Sequence, residues 1–128
     1  MKLQPDRTEV QTIAAYGPGW VVVEGGPAAG AAGEKITGSV VLGSRGERLT
    51  WAADWESLTA DHFAALARMG VEVVIFGSGA TLRFPKPAWL APLAAKRIGI
   101  ESMDTAAACR TYNILAQEGR VVAVALLL

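Results

Sequence analysis

Residues 98–128, IGIESMDTAAACRTYNILAQEGRVVAVALLL, constrain the fold most, because they read as strand, helix, strand with a polar junction between the first two elements. After a strand over 98–103, Asp104 or Thr105 offers a side-chain oxygen to the exposed N–H groups of a helix that runs to Glu118. At 100° per residue, Ala108, Cys109, Tyr112, Leu115 and Ala116 share one side of that helix. Gly119 ends it, and the apolar run 121–128 reads as a final buried strand.

A second unit of the same kind lies upstream. Residues 71–76, VEVVIF, are nearly all apolar, as a strand covered on both faces requires. Residues 87–97 then predict a short helix, in which Pro92 forces a late start or a kink. The chain is thus expected to be an α/β fold whose parallel core comes from two βαβ crossovers.

The first half is mainly β. Runs 10–16 and 20–24 flank Gly17-Pro18-Gly19, a turn favoured by glycine freedom and the fixed φ of proline, and predict a hairpin or meander. The segment 25–35, GGPAAGAAGEK, has little to bury and is expected to be a flexible hairpin loop within a single domain spanning 1–128. Residues 36–42 resume the β pattern, 44–47 turn it, and 49–52 continue it. A helix follows from Thr59, a capping residue with Leu58 and Phe63 at staple spacing; Phe63, Leu66, Ala67 and Gly70 share a face, and Gly70 ends it. Residues 80–84 predict a short edge strand before Pro85.

Composition excludes several function classes. Twelve basic and twelve acidic residues cancel, and no basic cluster exceeds the pair Lys96-Arg97, so the electrostatic footprint of a nucleic-acid binder is missing. Cys109 and His62 are each the sole residue of their type, which rules out an internal disulfide, a thiolate zinc cluster and a histidine-rich metal site. The stretch MKLQPDRTEV carries charge where a secretory signal is apolar, and no apolar run approaches the ~20 residues of a membrane span. These features predict a soluble cytoplasmic protein.

No complete catalytic or cofactor motif is present, so no cofactor is expected. GSGATL, 77–82, begins like a dinucleotide fingerprint, but Leu82 replaces its third glycine and no helix follows directly. The glycine-rich 25–33 segment lacks the Lys-Ser/Thr ending of a phosphate loop. The candidate site is therefore built from Gly77, Ser78, Gly79, Arg83, Asp104 and Thr105, just past the carboxyl ends of two expected parallel strands. On the functional reading, the N–H groups of Ser78 and Gly79, the start of the last helix and the Arg83 guanidinium receive a small anion. On the structural reading, the glycines make a tight turn and Asp104 or Thr105 caps a helix. A free Arg83 head in a concave site favours the first; pairing with Asp104 or Glu118 favours the second.

Cys109 shares the apolar helix side and reads as packing rather than a nucleophile, while His62 reads as a solvated or capping residue. Tyr112 faces the core and its hydroxyl needs a partner, expected in the 77–79 turn. Trp20, Trp51, Trp55 and Trp89 are assigned to packing. Ile114 lies opposite Tyr112 and marks a second buried surface or a homodimer contact.

Three strings combine: GSG followed by Arg83 and Pro85; GIES-M-x-T over 99–105; and AC-x-TYN-x-L-x-x-EGR over 108–120. Together they resemble the small domain-of-unknown-function family that includes mitochondrial complex I (NADH dehydrogenase) assembly factor 3 and many bacterial and archaeal members. The resemblance runs from about Ile13 to the end and is strongest after Val71. It implies a three-layer α/β arrangement around a mixed sheet, and an assembly or accessory role exercised by binding a protein partner such as a respiratory-complex subunit. The positions it carries are Gly77, Gly79, Arg83, Met103, Thr105, Cys109, Thr111, Tyr112, Asn113, Glu118, Gly119 and Arg120. Two departures stand out: the expanded 25–35 loop, and Ser78 where threonine is common. The rival expectation is an enzyme or small anionic ligand binder using Ser78, Arg83, Asp104 and Thr105.

Overall fold

A computed structural model describes residues 10–26 and 33–128. The chain opens with an antiparallel meander of β1 (Thr12–Gly17), β2 (Trp20–Glu24) and β3 (Glu34–Thr37). Pro18 and Gly19 form the two-residue β1–β2 turn, and Gly19 has a φ of 82°, the left-handed backbone that glycine adopts without a Cβ clash. Residues 27–32 of the expected 25–35 loop lie outside the described residues; the strands on either side of it pair antiparallel.

Residues 36–42 are not one strand. Gly38, with a φ of 103°, breaks the run, and the chain leaves the meander for a second sheet through β4 (Val40–Gly43) and β5 (Arg48–Thr50). The remaining strands are β6 (Val73–Gly77), β7 (Gly99–Met103) and β8 (Val122–Leu126). The five-stranded sheet has the order β5-β4-β8-β6-β7. Its β6 pairs parallel with both β7 and β8, while β4 pairs antiparallel with β8 and β5, giving a mixed sheet around the expected parallel core.

Burial on both faces explains why β6 and β8 are apolar throughout. On one face, Val73, Ile75, Val122, Val124 and Leu126 pack with the meander residues Ile13, Val21 and Val23 and with Ala108, Cys109 and Tyr112 of α3 (Thr105–Gln117). On the other, Val74, Phe76, Ala123 and Ala125 pack with Phe63 and Leu66 of α1 (Ala60–Ala67) and Leu93 of α2 (Ala91–Ala95). The strand period of two thus sorts alternate residues between two cores. Each fully buried Val, Leu, Ile or Phe contributes about 1.5–3 kcal/mol before chain entropy is counted.

The helix ends follow local chemistry. At α1 the Thr59 N–H donates to His62 Nδ1 at 3.0 Å, so the sole histidine serves as a cap. Pro92 sits in the first turn of α2, after a 3₁₀ turn at Pro87–Leu90, which is the late start that proline permits. Asp104 caps α3 by accepting the Ala107 N–H at 2.9 Å. Beyond Glu118, Gly119 takes a φ of 86°, its N–H reaches the Ala116 carbonyl at 3.0 Å, and the Arg120 N–H reaches Leu115 at 3.1 Å. Those two bonds are the Schellman closure of the helix.

Candidate functional site

Parallel pairing sets Gly77 of β6 opposite both Met103 of β7 and Leu126 of β8, so all three strands end at one edge. Three exits from the sheet are therefore adjacent, and their backbone groups need partners. The Leu127 N–H donates to the Gly77 carbonyl at 2.9 Å, Ser78 N–H to Met103 at 2.9 Å, and Thr105 N–H to Gly79 at 2.8 Å. Thr105 Oγ1 completes the lacing, accepting from Gly79 N–H at 2.9 Å and donating to the Leu127 carbonyl at 2.7 Å.

The Ser78 hydroxyl folds the next segment. It accepts the Arg83 N–H at 2.9 Å and donates to the Thr81 carbonyl at 2.8 Å. Residues 80–84 consequently form a tight loop instead of the expected edge strand, and both sides of β6 are already occupied by β7 and β8. Gly77 is a glycine for lack of room: a Cβ there would lie 2.9 Å from Leu126 Cδ2 and 3.1 Å from both Ala108 Cβ and Thr105 Oγ1.

An open cavity of about 770 Å³ lies at this edge. Of the six expected site residues, Ser78, Gly79, Arg83, Asp104 and Thr105 line it; Gly77 is packed behind. The sequence reading missed the opposite wall, which comes from the β1–β2 turn and from Asp54, Trp55 and Glu56. Trp55 gave a usable signal, an aromatic residue in a polar loop, but its distance along the chain from Arg83 concealed the pairing. It packs partly against the second core and also supports the Arg83 guanidinium, 5.3 Å above its ring.

The electrostatics differ from those of an anion pocket. The N–H groups of Ser78 and Gly79 are engaged as above, and those of Thr105, Ala107 and Ala108 are bonded to Gly79 and to Asp104. Among the described residues the lining carries three carboxylate side chains, Asp54, Glu56 and Asp104, against the one guanidinium of Arg83. Among the described residues the ion pairs involve Arg45, Arg48 and Arg120, and Arg83 is joined to neither Asp104 nor Glu118.

Other singled-out residues lie elsewhere. Cys109 is fully buried, and burial pushes its thiol from 9.0 up to about 12, removing nucleophilic thiolate near neutrality. The Tyr112 hydroxyl donates to the Gln11 carbonyl at 2.6 Å, not to the 77–79 turn, because its ring points toward the meander. Burial, aided by the Glu47 charge, raises its pKa. Asn113 has a role the sequence did not announce: it holds Ile13 of β1 through both amide groups. Arg120 lies beyond the other end of the sheet, with Nε 3.2 Å from Glu72 and its carbonyl accepting from Ser44 Oγ at 3.0 Å. The EGR string therefore closes α3 and joins it to β8. Among the described residues no group of three or more His, Cys, Asp or Glu side chains is placed to hold a metal.

Comparison with known proteins adds relatives. The chain is similar to bovine (Bos taurus) NADH dehydrogenase [ubiquinone] 1 alpha subcomplex assembly factor 3, at 31% identity over 75 residues covering 57% of this chain and 41% of that protein. It thus spans under half the length of that relative. A Bordetella parapertussis crystal structure superposes with a TM-score of 0.79 at 33% identity, covering 92% of this chain and 95% of the other. A Bartonella henselae crystal structure, described as an outer membrane protein, gives 0.76 at 26% identity over 94% and 97% of the two chains. The family described as protein of unknown function (DUF498/DUF598) matches residues 13–127. Across almost its whole described fold, strand edge and cavity included, the chain belongs to the DUF498/DUF598 family.

Proposed function

We propose that this chain is an accessory or assembly-type protein that acts by binding a protein partner at the Arg83 cleft. One observation carries this reading: the loop that holds Arg83 beside the open cavity also presents Leu82 and Phe84, which are 52% and 69% exposed. Large exposed apolar side chains on a loop that also lines a concave surface are features of a contact site. The bovine relative's name supplies the assembly setting, and the partner in this reading is a subunit of a multi-subunit complex, respiratory by resemblance.

The test is capture of a specific partner from native lysate by wild type and by a Leu82→Asp, Phe84→Asp double variant. A partner held by wild type and lost by the variant supports the proposal; no specific partner, or one held equally by both, overturns it. The enzyme or anion-binder reading has the unpaired Arg83 head in its favour, but it has less support, because the Ser78, Gly79 and Thr105 N–H groups are engaged and, among the described residues, three carboxylates share the cavity. Thermal stabilisation by members of an anionic metabolite panel would revive it.

Two further assignments belong to the same reading. A homodimer through α3 would cover Ile114, 57% exposed, and sedimentation of wild type against Ile114→Asp tests it. No helix among the described residues is long and apolar enough to cross a membrane. A cytoplasmic location is supported by the single free cysteine and is tested by cell fractionation.

A further inference from the structure

We infer that the occupant of the cleft is a protein segment that combines an apolar anchor with a basic side chain. The inference rests on the protein-binding reading above and specifies its chemistry. The cavity, about 770 Å³ and open to solvent, falls within the range that takes a bulky apolar group. Its charge is one-sided. Among the described residues Asp54, Glu56 and Asp104 line it against Arg83 alone, and Arg83 lies on the Trp55 ring and not in an ion pair with any of them.

The carboxylates retain acceptor capacity. Asp54 Oδ1 takes the Ser57 N–H at 2.9 Å and hydroxyl at 2.7 Å, and Asp104 Oδ1 takes the Ala107 N–H. Their second oxygens, and both oxygens of Glu56, have no hydrogen-bond donor among the described residues. A Lys or Arg head on the ligand supplies such donors, while its stem continues the apolar contact. Anionic ligands meet the reverse situation, with the Ser78, Gly79 and Thr105 N–H groups already bonded within the chain and like charge on the rim. Leu82 and Phe84 extend the apolar contact beyond the cavity, which fits a chain segment better than a compact amine.

The experiment pans a phage-displayed random peptide library against the full chain and measures synthetic versions of the selected peptides by calorimetry. Enriched peptides are expected to pair apolar residues with Lys or Arg. Changing that basic residue to Glu should weaken binding about tenfold at low salt, less at high salt. Glu56→Lys, an exposed change that leaves both Asp caps in place, should remove or invert the preference. Enrichment of acidic peptides, absence of any selected peptide, or an unchanged preference in Glu56→Lys each overturns the inference. So does hexylamine binding as tightly as the best peptide, since a small cation then suffices. Acidic peptides that still compete with the lysate partner would sink this inference and leave the protein-binding reading standing.

Discussion

The side-chain amide of Asn113 on α3 takes both backbone groups of Ile13 on β1: the Ile13 N–H donates to Oδ1 at 2.8 Å, and Nδ2 donates to the Ile13 carbonyl at 2.8 Å. One side chain thus imitates a neighbouring strand at the edge of the meander, where the β1–β2 register slips between Ile13 and Ala15. Asn113→Leu removes both bonds and leaves two backbone groups short of partners, an expected loss of about 2 kcal/mol. Urea unfolding checks the stability, and faster hydrogen exchange at the Ile13 amide checks the mechanism. An unchanged midpoint would show that the edge of β1 is held by other means.

The contrast between this contact and the ends of α3 shows what local sequence discloses. Asp104 and Gly119 carry their signals in their own chemistry, a short acceptor before a helix and a residue free to take positive φ after it. The two apolar runs that became β6 and β8 declare burial on both faces without any partner being known. The Asn113–Ile13 bonds, the Tyr112–Gln11 bond and the Trp55–Arg83 contact each join distant segments, and no spacing announces them. Gly38 was hidden for a different reason: the β pattern on either side is continuous, and only the backbone angle reveals the change of sheet. In the candidate site, the sheet-end residues were legible because they follow the carboxyl ends of expected parallel strands, whereas the facing wall depends on how the meander packs.

Cys109 ties stability to alkaline pH. Burial raises its folded pKa from 9.0 to about 12, so the unfolded chain loses the proton first. The thiol's contribution is intact below about pH 9 and is lost progressively as pH rises to about 12. Tyr112, also raised by burial, acts in the same direction above its ordinary 10.0. Cys109→Ala should flatten the first part of the alkaline decline in unfolding free energy, and Tyr112→Phe the later part. A thiol reagent at about pH 8 should label native protein only as fast as it opens; rapid labelling would contradict the burial.

Thr105 serves two strands at once. Thr105→Val keeps the shape but removes the acceptor for the Gly79 N–H and the donor to the Leu127 carbonyl, costing about 2–4 kcal/mol in all. Thr105→Ser retains both and should lie within about 1 kcal/mol of wild type. Calorimetric Tm values rank the three proteins. Equal losses in Val and Ser would assign the cost to the methyl group and not to the lacing.

Ser78 and Arg83 separate the structural role of the site from its binding role. Ser78 is buried, and its hydroxyl orders the loop by accepting the Arg83 N–H, so Ser78→Ala should cost about 1–2 kcal/mol of stability. Arg83 is exposed, and its head rests on Trp55 at 5.3 Å, a contact of about 0.5–1 kcal/mol in water. Arg83→Ala should therefore alter the Trp55 fluorescence and the affinity of the cleft for its selected peptide while leaving the unfolding midpoint almost unchanged. Among the described residues Arg83 is the only cationic side chain that lines the cleft and its removal leaves three carboxylates, so a basic peptide should bind the variant more tightly and an acidic one less. If Arg83→Ala instead destabilises the fold as much as Ser78→Ala and shifts no binding, the polar cluster is only a knot joining the sheet to α3.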